Sequence, residues 1–309
     1  MTSSSSSPIR SCPDCFTGTI HTAQPVGHVE ILHDVPTYIT RGEESSSSLS
    51  APAPSNSTIV FLTDGFGTKL VNNKLLADQY AARTGLRVLV PDLLPGGGVP
   101  LVMLSLSATL TRPVAWYNLL GQIRRVWAAA RLMSILLPFS FRVRRLYPAV
   151  LGYVRAVRAS LPLGAKLGLA GFCLGGHWSS RICGASAVEG DGDDDGNDDS
   201  AGQLVDAHFT AHPSSVAPDE FAAFARRFRV PFSLALGDRD QMMSVEQAHE
   251  VEASLRGVFE DEPERLEVRL YEKCGHGFAL RADPNETGEN EGAERALEQA
   301  VNWFRKFLN

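Results

Sequence analysis

The stretch Gly171-Phe172-Cys173-Leu174-Gly175-Gly176 puts the tightest constraint on what this chain can fold into. The apolar run Lys166 to Ala170 precedes it and reads as a buried strand, and His177 to Gly184 continues as a helix. A strand that turns into a helix this abruptly needs small neighbours. Glycines two residues before and two after Cys173 let the two backbones approach closely. The thiol then stands at the carboxyl end of the strand, the edge at which open α/β sheets bind their ligands. The competing reading is a cysteine buried as a small hydrophobe. The glycine frame favours a presented nucleophile.

The chain has 309 residues, 44% of them hydrophobic, enough to bury a sizeable core in one large α/β domain. Five cysteines, an odd count, argue against a disulfide scaffold and for a reducing compartment, so the expected location is cytoplasmic. Cys12-Pro-Asp-Cys15 has no second ligand pair at zinc spacing and reads as a surface segment. Met1 to Ser7 are polar and lack the apolar centre of a signal peptide. No uninterrupted apolar run reaches membrane-spanning length, so no transmembrane segment is expected. The net charge of −6 is unevenly spread: Leu93 to Val188 holds no Asp or Glu, but eleven of the 29 Lys and Arg. Such a sector attracts anions, or its arginines are solvated and pair with the acidic remainder. Without aromatic interleaving it does not point to nucleic acid.

Residues 1–26 read as an N-terminal arm and 27–309 as a single domain, with a helical, lid-like insertion at about 99–148. Gly27 to Leu32 and Val35 to Thr40 suggest an antiparallel hairpin around His33-Asp34. Thr58 to Thr63, Leu86 to Val90, Leu204 to Ala211, Pro231 to Leu236 and Arg265 to Tyr271 read as further strands. Asn72 to Arg83, Phe141 to Ser160, Pro218 to Arg227, Val245 to Leu255 and Arg295 to Leu308 read as helices. Within the insertion the helical stretches lie around Trp116 to Leu136, and Arg124, Arg125 and Arg131 break the apolarity, which leaves an interfacial helix open. The acidic run Glu189 to Ser200 lacks a glutamate at the twelfth position of a calcium loop and reads as solvated. Alternating strands and helices imply a mostly parallel central sheet with helices on both faces, in three layers.

A cysteine nucleophile needs a base, and the base needs a group to orient it. His276, between Gly275 and Gly277 just past the last strand, is the candidate base. Gly237-Asp238-Arg239-Asp240 follows another strand: one of its aspartates orients the imidazole, and the other caps the following helix. His212 ends a strand on the same sheet edge and lines the pocket, whereas His177 packs. His21, His28, His33, His208 and His249 have no companions at metal spacing, so no metal site is expected. Oxyanion donors are the amide of Leu174, directly after the nucleophile, and that of Gly65, in the loop after an earlier central strand.

Five motifs together make the chain resemble the dienelactone hydrolase family over about residues 26–308: Thr63-Asp64-Gly65-Phe66-Gly67, Val90-Pro91-Asp92-Leu93, the Cys173 stretch, Gly237-Asp238-Arg239-Asp240 and His276-Gly277-Phe278-Ala279. The paired cysteines of the arm and His212-Pro213-Ser214 look like the fungal members. The resemblance implies an α/β-hydrolase fold and a Cys173, Asp240 and His276 triad acting on lactones and related esters without a cofactor. It selects Asp240 as the acid. It puts Asp64 where many members carry a thiol-activating glutamate one methylene longer. It suggests Arg281 for a substrate carboxylate, one position later than in bacterial members. The expected function is a cysteine-dependent hydrolase of lactones or small esters, the basic sector adding anionic ones. A thioesterase or broad carboxylesterase on the same triad, or a non-catalytic binding protein of the same fold, are the alternatives.

Overall fold

The sheet grows outward from strands that are apolar throughout. In a computed structural model that describes residues 18–42, 56–188, 202–283 and 285–309, eight strands form one sheet. They are β1 (His28–Leu32), β2 (Val35–Arg41), β3 (Thr58–Leu62), β4 (Arg87–Pro91), β5 (Leu167–Phe172), β6 (Ala207–Ala211), β7 (Phe232–Gly237) and β8 (Leu266–Tyr271). Their order is β1-β2-β4-β3-β5-β6-β7-β8. Strands β3 to β8 pair in parallel, while β2 pairs antiparallel with both β1 and β4. Every residue of β3, β5, β6 and β7 is buried, as expected of parallel strands covered on both faces. The hairpin turn at His33-Asp34 has positive φ at both residues (51° and 63°), the backbone that joins two twisted strands most directly.

Alternation along β3 divides the core in two. Ile59 and Phe61 join Tyr80, Phe172, Phe209 and Phe304 on the face covered by α1 (Val71–Thr84) and a long carboxyl-terminal helix. Val60 and Leu62 join the cluster on the other face. That face carries α2 (Val102–Thr111), α3 (Leu119–Val143), α4 (Tyr147–Ser160), α5 (Leu174–Ile182), α6 (Pro218–Arg226) and α7 (Val245–Val258). A short α8 (Phe278–Arg281) and the long α9 (Thr287–Leu308) complete the chain. The three-layer arrangement is the one expected. Local signals set several boundaries: Gly85, at φ 76°, ends α1 and donates its N–H to Ala81 O at 2.9 Å.

Three elements differ from the expectation. Helix α9 starts at Thr287, eight residues before Arg295, because its buried stripe begins at Gly292 and the turns before it ride along. Helix α3 runs unbroken through Pro138 to Val143, and the break falls at 144–146 ahead of Pro148, which takes the first turn of α4. Helix α3 is also long and apolar enough by length and composition to cross a membrane, with a mean hydropathy of 1.3 over an 18-residue window. Arg124 and Arg125 sit near its amino-terminal end, so the rest of the helix stays apolar with only Arg131 and Arg142 as charges. The acidic run at 189–200 and Cys12 and Cys15 lie outside the described residues.

Phe172, one residue before the nucleophile candidate, stacks on Phe61 with ring centroids 4.6 Å apart and touches Phe209 at 6.3 Å. Replacing Phe172 with Ala should cost roughly 3–5 kcal/mol of stability, measured as a lower urea midpoint at unchanged slope. A cost under about 1 kcal/mol would mean that the ring does not anchor β5.

Candidate active site

Strand β5 ends at Phe172, and Cys173 takes φ 51° and ψ −111° before α5 begins at Leu174. Such a backbone is strained for a residue with a side chain, and the surroundings must over-determine it. They do so by crowding. A Cβ on Gly171 would strike the Ser179 side chain and the Gly175 carbonyl, and one on Gly175 would strike the Leu62 carbonyl. Main-chain bonds then pin the turn: Ser214 N donates to Cys173 O at 3.0 Å, and Gly175 N to Thr63 O at 3.1 Å. The Cys173 residue is 6% exposed, its Sγ 3.6 Å from Ser214 Oγ. It belongs to the same buried cluster as Leu94, Val99, and Met103 and Leu106 of α2.

His276 follows β8 and Asp240 follows β7, the two strands at the carboxyl-terminal edge of the sheet. His276 Nδ1 lies 3.0 and 2.9 Å from the two Asp240 oxygens, so Nδ1–H donates to the carboxylate. Asp240 Oδ1 also accepts from Met242 N at 2.8 Å, which holds the carboxylate in the turn. This bond commits Nδ1–H to Asp240 and leaves Nε2 as the ring nitrogen that can exchange a proton with the thiol. Burial pushes the imidazole towards neutrality, but a negative charge on Cys173 and the hydrogen bond and charge of Asp240 outweigh it. The His276 pKa is raised well above the usual histidine value. The thiol and the imidazole are thus electrostatic partners.

Asp238 does not share this role. Its Oδ1 accepts from Cys274 N at 3.1 Å and so braces the His276 loop. The expected aspartate cap of α7 is replaced by Ser244, whose Oγ accepts from Gln247 N at 3.3 Å, while Gln247 Oε1 accepts from Ser244 N at 3.0 Å.

Asp64 is fully buried and ion-paired with Arg281, itself 2% exposed. Asp64 Oδ1 accepts from Phe66 N and from Asn73 Nδ2, each at 3.1 Å. Burial raises its pKa, Arg281 opposes the rise, and the nearby charge of Cys173 adds to it. Asp64 therefore feels the thiol, and the Arg281 guanidinium lies in the interior on Asp64. The sequence reading missed Asn73, whose amide also donates to Gly67 O at 2.9 Å. Its only signal was a polar residue on the inward side of α1. In the loop after β3 the Phe66 and Gly67 amides are spent on Asp64, and Gly65 O accepts from Val99 N at 2.9 Å. The Leu174 amide opens α5, where the first N–H groups have no intrahelical acceptor.

His212 is fully buried at φ 38°, its ring centroid 5.1 Å from that of His276. Burial, then the charges of His276 and Arg281, hold it neutral. His177 packs as expected, its Nδ1 2.9 Å from Ser215 O. Among the described residues, no group of three or more His, Cys, Asp or Glu could hold a metal ion. A polar surface cavity lined by Arg239, Lys273, Gly275, His276 and Glu289 lies against the His276 loop, and the His276 side chain itself is buried.

The model of the dienelactone hydrolase family matches residues 198–308, the part that carries Asp240 and His276. Hydrolase pyvD of Aspergillus violaceofuscus is 29% identical over 294 residues, covering 95% of this chain and 96% of that protein. Dienlactone hydrolase 1 of Gibberella moniliformis is 23% identical over 294 residues, covering 95% and 93%. Among solved structures, esterase 2 of Thermogutta terrifontis, phosphorylated by paraoxon, superposes with a TM-score of 0.53 at 16% identity, covering 91% of this chain and 94% of that one. That likeness shows the α/β-hydrolase fold.

The electrostatics yield a titration. His276 should stay protonated through neutral pH. Its contribution to stability is complete below the unfolded value near pH ~6.5, and is lost as pH rises through the raised folded value. Cys173→Ala should bring the His276 pKa down, followed by nitrogen-15 NMR of the ring. An unmoved value would uncouple the thiol from the imidazole.

Proposed function

We propose that this relative of the dienelactone hydrolases, a hydrolase of ester bonds, works through an acyl-enzyme on Cys173 and accepts lactones or small carboxylic esters. The observation that carries the reading is geometric: Cys173 at the strained turn that ends β5, with His276 buried behind a hydrogen bond from Nδ1–H to Asp240 at 2.9 Å.

Each group has a stated task. His276 takes the thiol proton, so the nucleophile is a thiolate beside an imidazolium. The thiolate attacks the ester carbonyl, and the Leu174 and Gly65 amides hold the developing oxyanion, each worth roughly 3 kcal/mol. The imidazolium protonates the leaving alkoxide, and the opened ester remains as a thioester on Cys173. His276, now neutral, draws a proton from water, which releases the acid and restores the thiol. Asp240 holds the Nδ1–H tautomer and offsets the imidazolium charge. Asp64 adds a second buried negative group that the thiol feels, and with Arg281 it tunes how readily the sulfur ionises. Neutral His212 forms the wall behind His276. The apolar residues of α2 and the loop before it suit the acyl part, with the 99–148 insertion as a cover. Among the described residues Cys173, Cys183 and Cys274 form no disulfide, which suits a reducing compartment such as the cytoplasm.

A panel of lactones, carboxylic esters and thioesters tests the reading and separates a lactonase from a thioesterase. Cys173→Ala and His276→Ala should each lower kcat/KM by roughly 10⁴-fold or more with the fold retained. Residual turnover within about tenfold of wild type would exclude Cys173 as nucleophile.

A thiol-reactive ester probe should label Cys173 before its neighbours. Burial pushes Cys183 well above the usual thiol range, and burial followed by the charge of Glu289 pushes Cys274 up to about 12. Peptide mapping reads the outcome. Labelling first at Cys183 or Cys274 would oppose the assignment and support a binding protein of the same fold.

A further inference from the structure

Helix α3 breaks the usual rule for a helix on a protein surface. Its inward residues, Ala128, Leu132, Ile135, Leu136, Phe139 and Val143, pack on the core. Its outward side should then be polar, because a helix that is apolar all round belongs in an interior. Instead Leu120, Ile123, Trp127, Leu137 and Phe141 recur at helical spacing and are exposed, Trp127 at 64%. Only 11% of its most apolar window is buried. The exposed Trp116, at 86%, and Tyr117 extend the patch at the amino-terminal end. Arg124, Arg131 and Arg142, all exposed, line one edge of the apolar stripe.

We propose that the outward face of α3 is a docking surface for an anionic phospholipid bilayer, on which the helix lies flat. Two properties must be met at once: an apolar medium for the stripe and negative charge beside it for the arginines. A bilayer with anionic headgroups supplies both, and Trp and Tyr suit its interface. A second copy of this chain brings the same stripe but no acid, because 93–188 contains no Asp or Glu. The segments outside the described residues, 1–17, 43–55 and 189–201, are Ser-rich or acidic and have no matching apolar run. The inward face is committed to the domain, so the helix cannot turn to span the membrane without tearing open the core. Lying flat, its 25 residues offer a contact roughly 37 Å long.

Flotation of the full chain with phosphatidylcholine vesicles, with and without about 30% phosphatidylserine, tests this. Binding should be far stronger to the anionic vesicles, weaken steeply towards 0.5 M salt as screening shortens to roughly 4 Å, and shift the fluorescence of Trp116 and Trp127 to the blue. Joint Arg124→Glu, Arg131→Glu and Arg142→Glu should weaken binding by more than about a hundredfold, since losing each arginine charge alone is worth roughly fivefold. Joint Ile123→Ser, Trp127→Ser and Phe141→Ser should abolish it with the thermal melt unchanged, since all three side chains are exposed. Should that variant misfold, the charge reversal and the salt titration decide alone. Failure to float with anionic vesicles overturns the proposal. So does a dimer at low protein concentration that the serine variant converts to a monomer, which would assign the stripe to a second copy.

Discussion

The bend at Cys173 is the constraint from which the rest of the site follows. A side-chain-bearing residue is kept in the left-handed half of backbone space because β3, β5 and α5 meet too closely for the chain to relax. That closeness exists only where glycine leaves room for a neighbouring carbonyl. It places Cys173 at the carboxyl end of β5, where the loops after β3, β7 and β8 bring Asp64, Asp240 and His276 to the ends of neighbouring strands. The strain is met by the packing on both faces of β5, with Phe172 held in the aromatic cluster beneath α1 and α9.

Charge is concentrated where water is absent. Asp240 with His276, and Asp64 with Arg281, are two buried pairs, and Cys173 interacts electrostatically with His276 and Asp64. Burying such pairs contributes little net stability, because desolvation offsets most of the attraction; breaking one pair strands its partner at a cost of several kcal/mol. Their value is control of protonation. A thiol beside a cationic ring ionises more readily, whereas one beside a buried carboxylate resists. Opposite influences converge on one sulfur, and neutral His212 adds no charge of its own to either.

Much of this was legible in the residues. Strands β3, β5 and β7 are short apolar runs closed by turn residues, and parallel burial leaves few other choices. His276 was readable because it sits between glycines directly past a strand, whereas the turn after β7 left Asp238 and Asp240 open until the family resemblance selected Asp240. What escaped was long-range or permissive. Asp64 and Arg281 lie 217 positions apart, and no local pattern announces a buried pair at that distance. The early start of α9 was hidden by Gly288 and Gly292, poor helix formers that are carried by the packing of the turns after them. Pro138 lies on the solvent side of α3, so it marks no boundary. The cap of α7 went to Ser244 because both aspartates in the preceding turn already had acceptor duties.

The order of the site's parts along the chain has a consequence for its birth. Sulfur and imidazole are separated by about a hundred residues, which at translation rates of about 5–20 residues per second is a delay of roughly 5–20 s. Through that interval the nascent polypeptide carries a thiol with neither its carboxylate nor its ring. On the proposed mechanism, reactivity waits until β7 and β8 have zipped onto the growing edge, so the first turnover would certify a finished sheet.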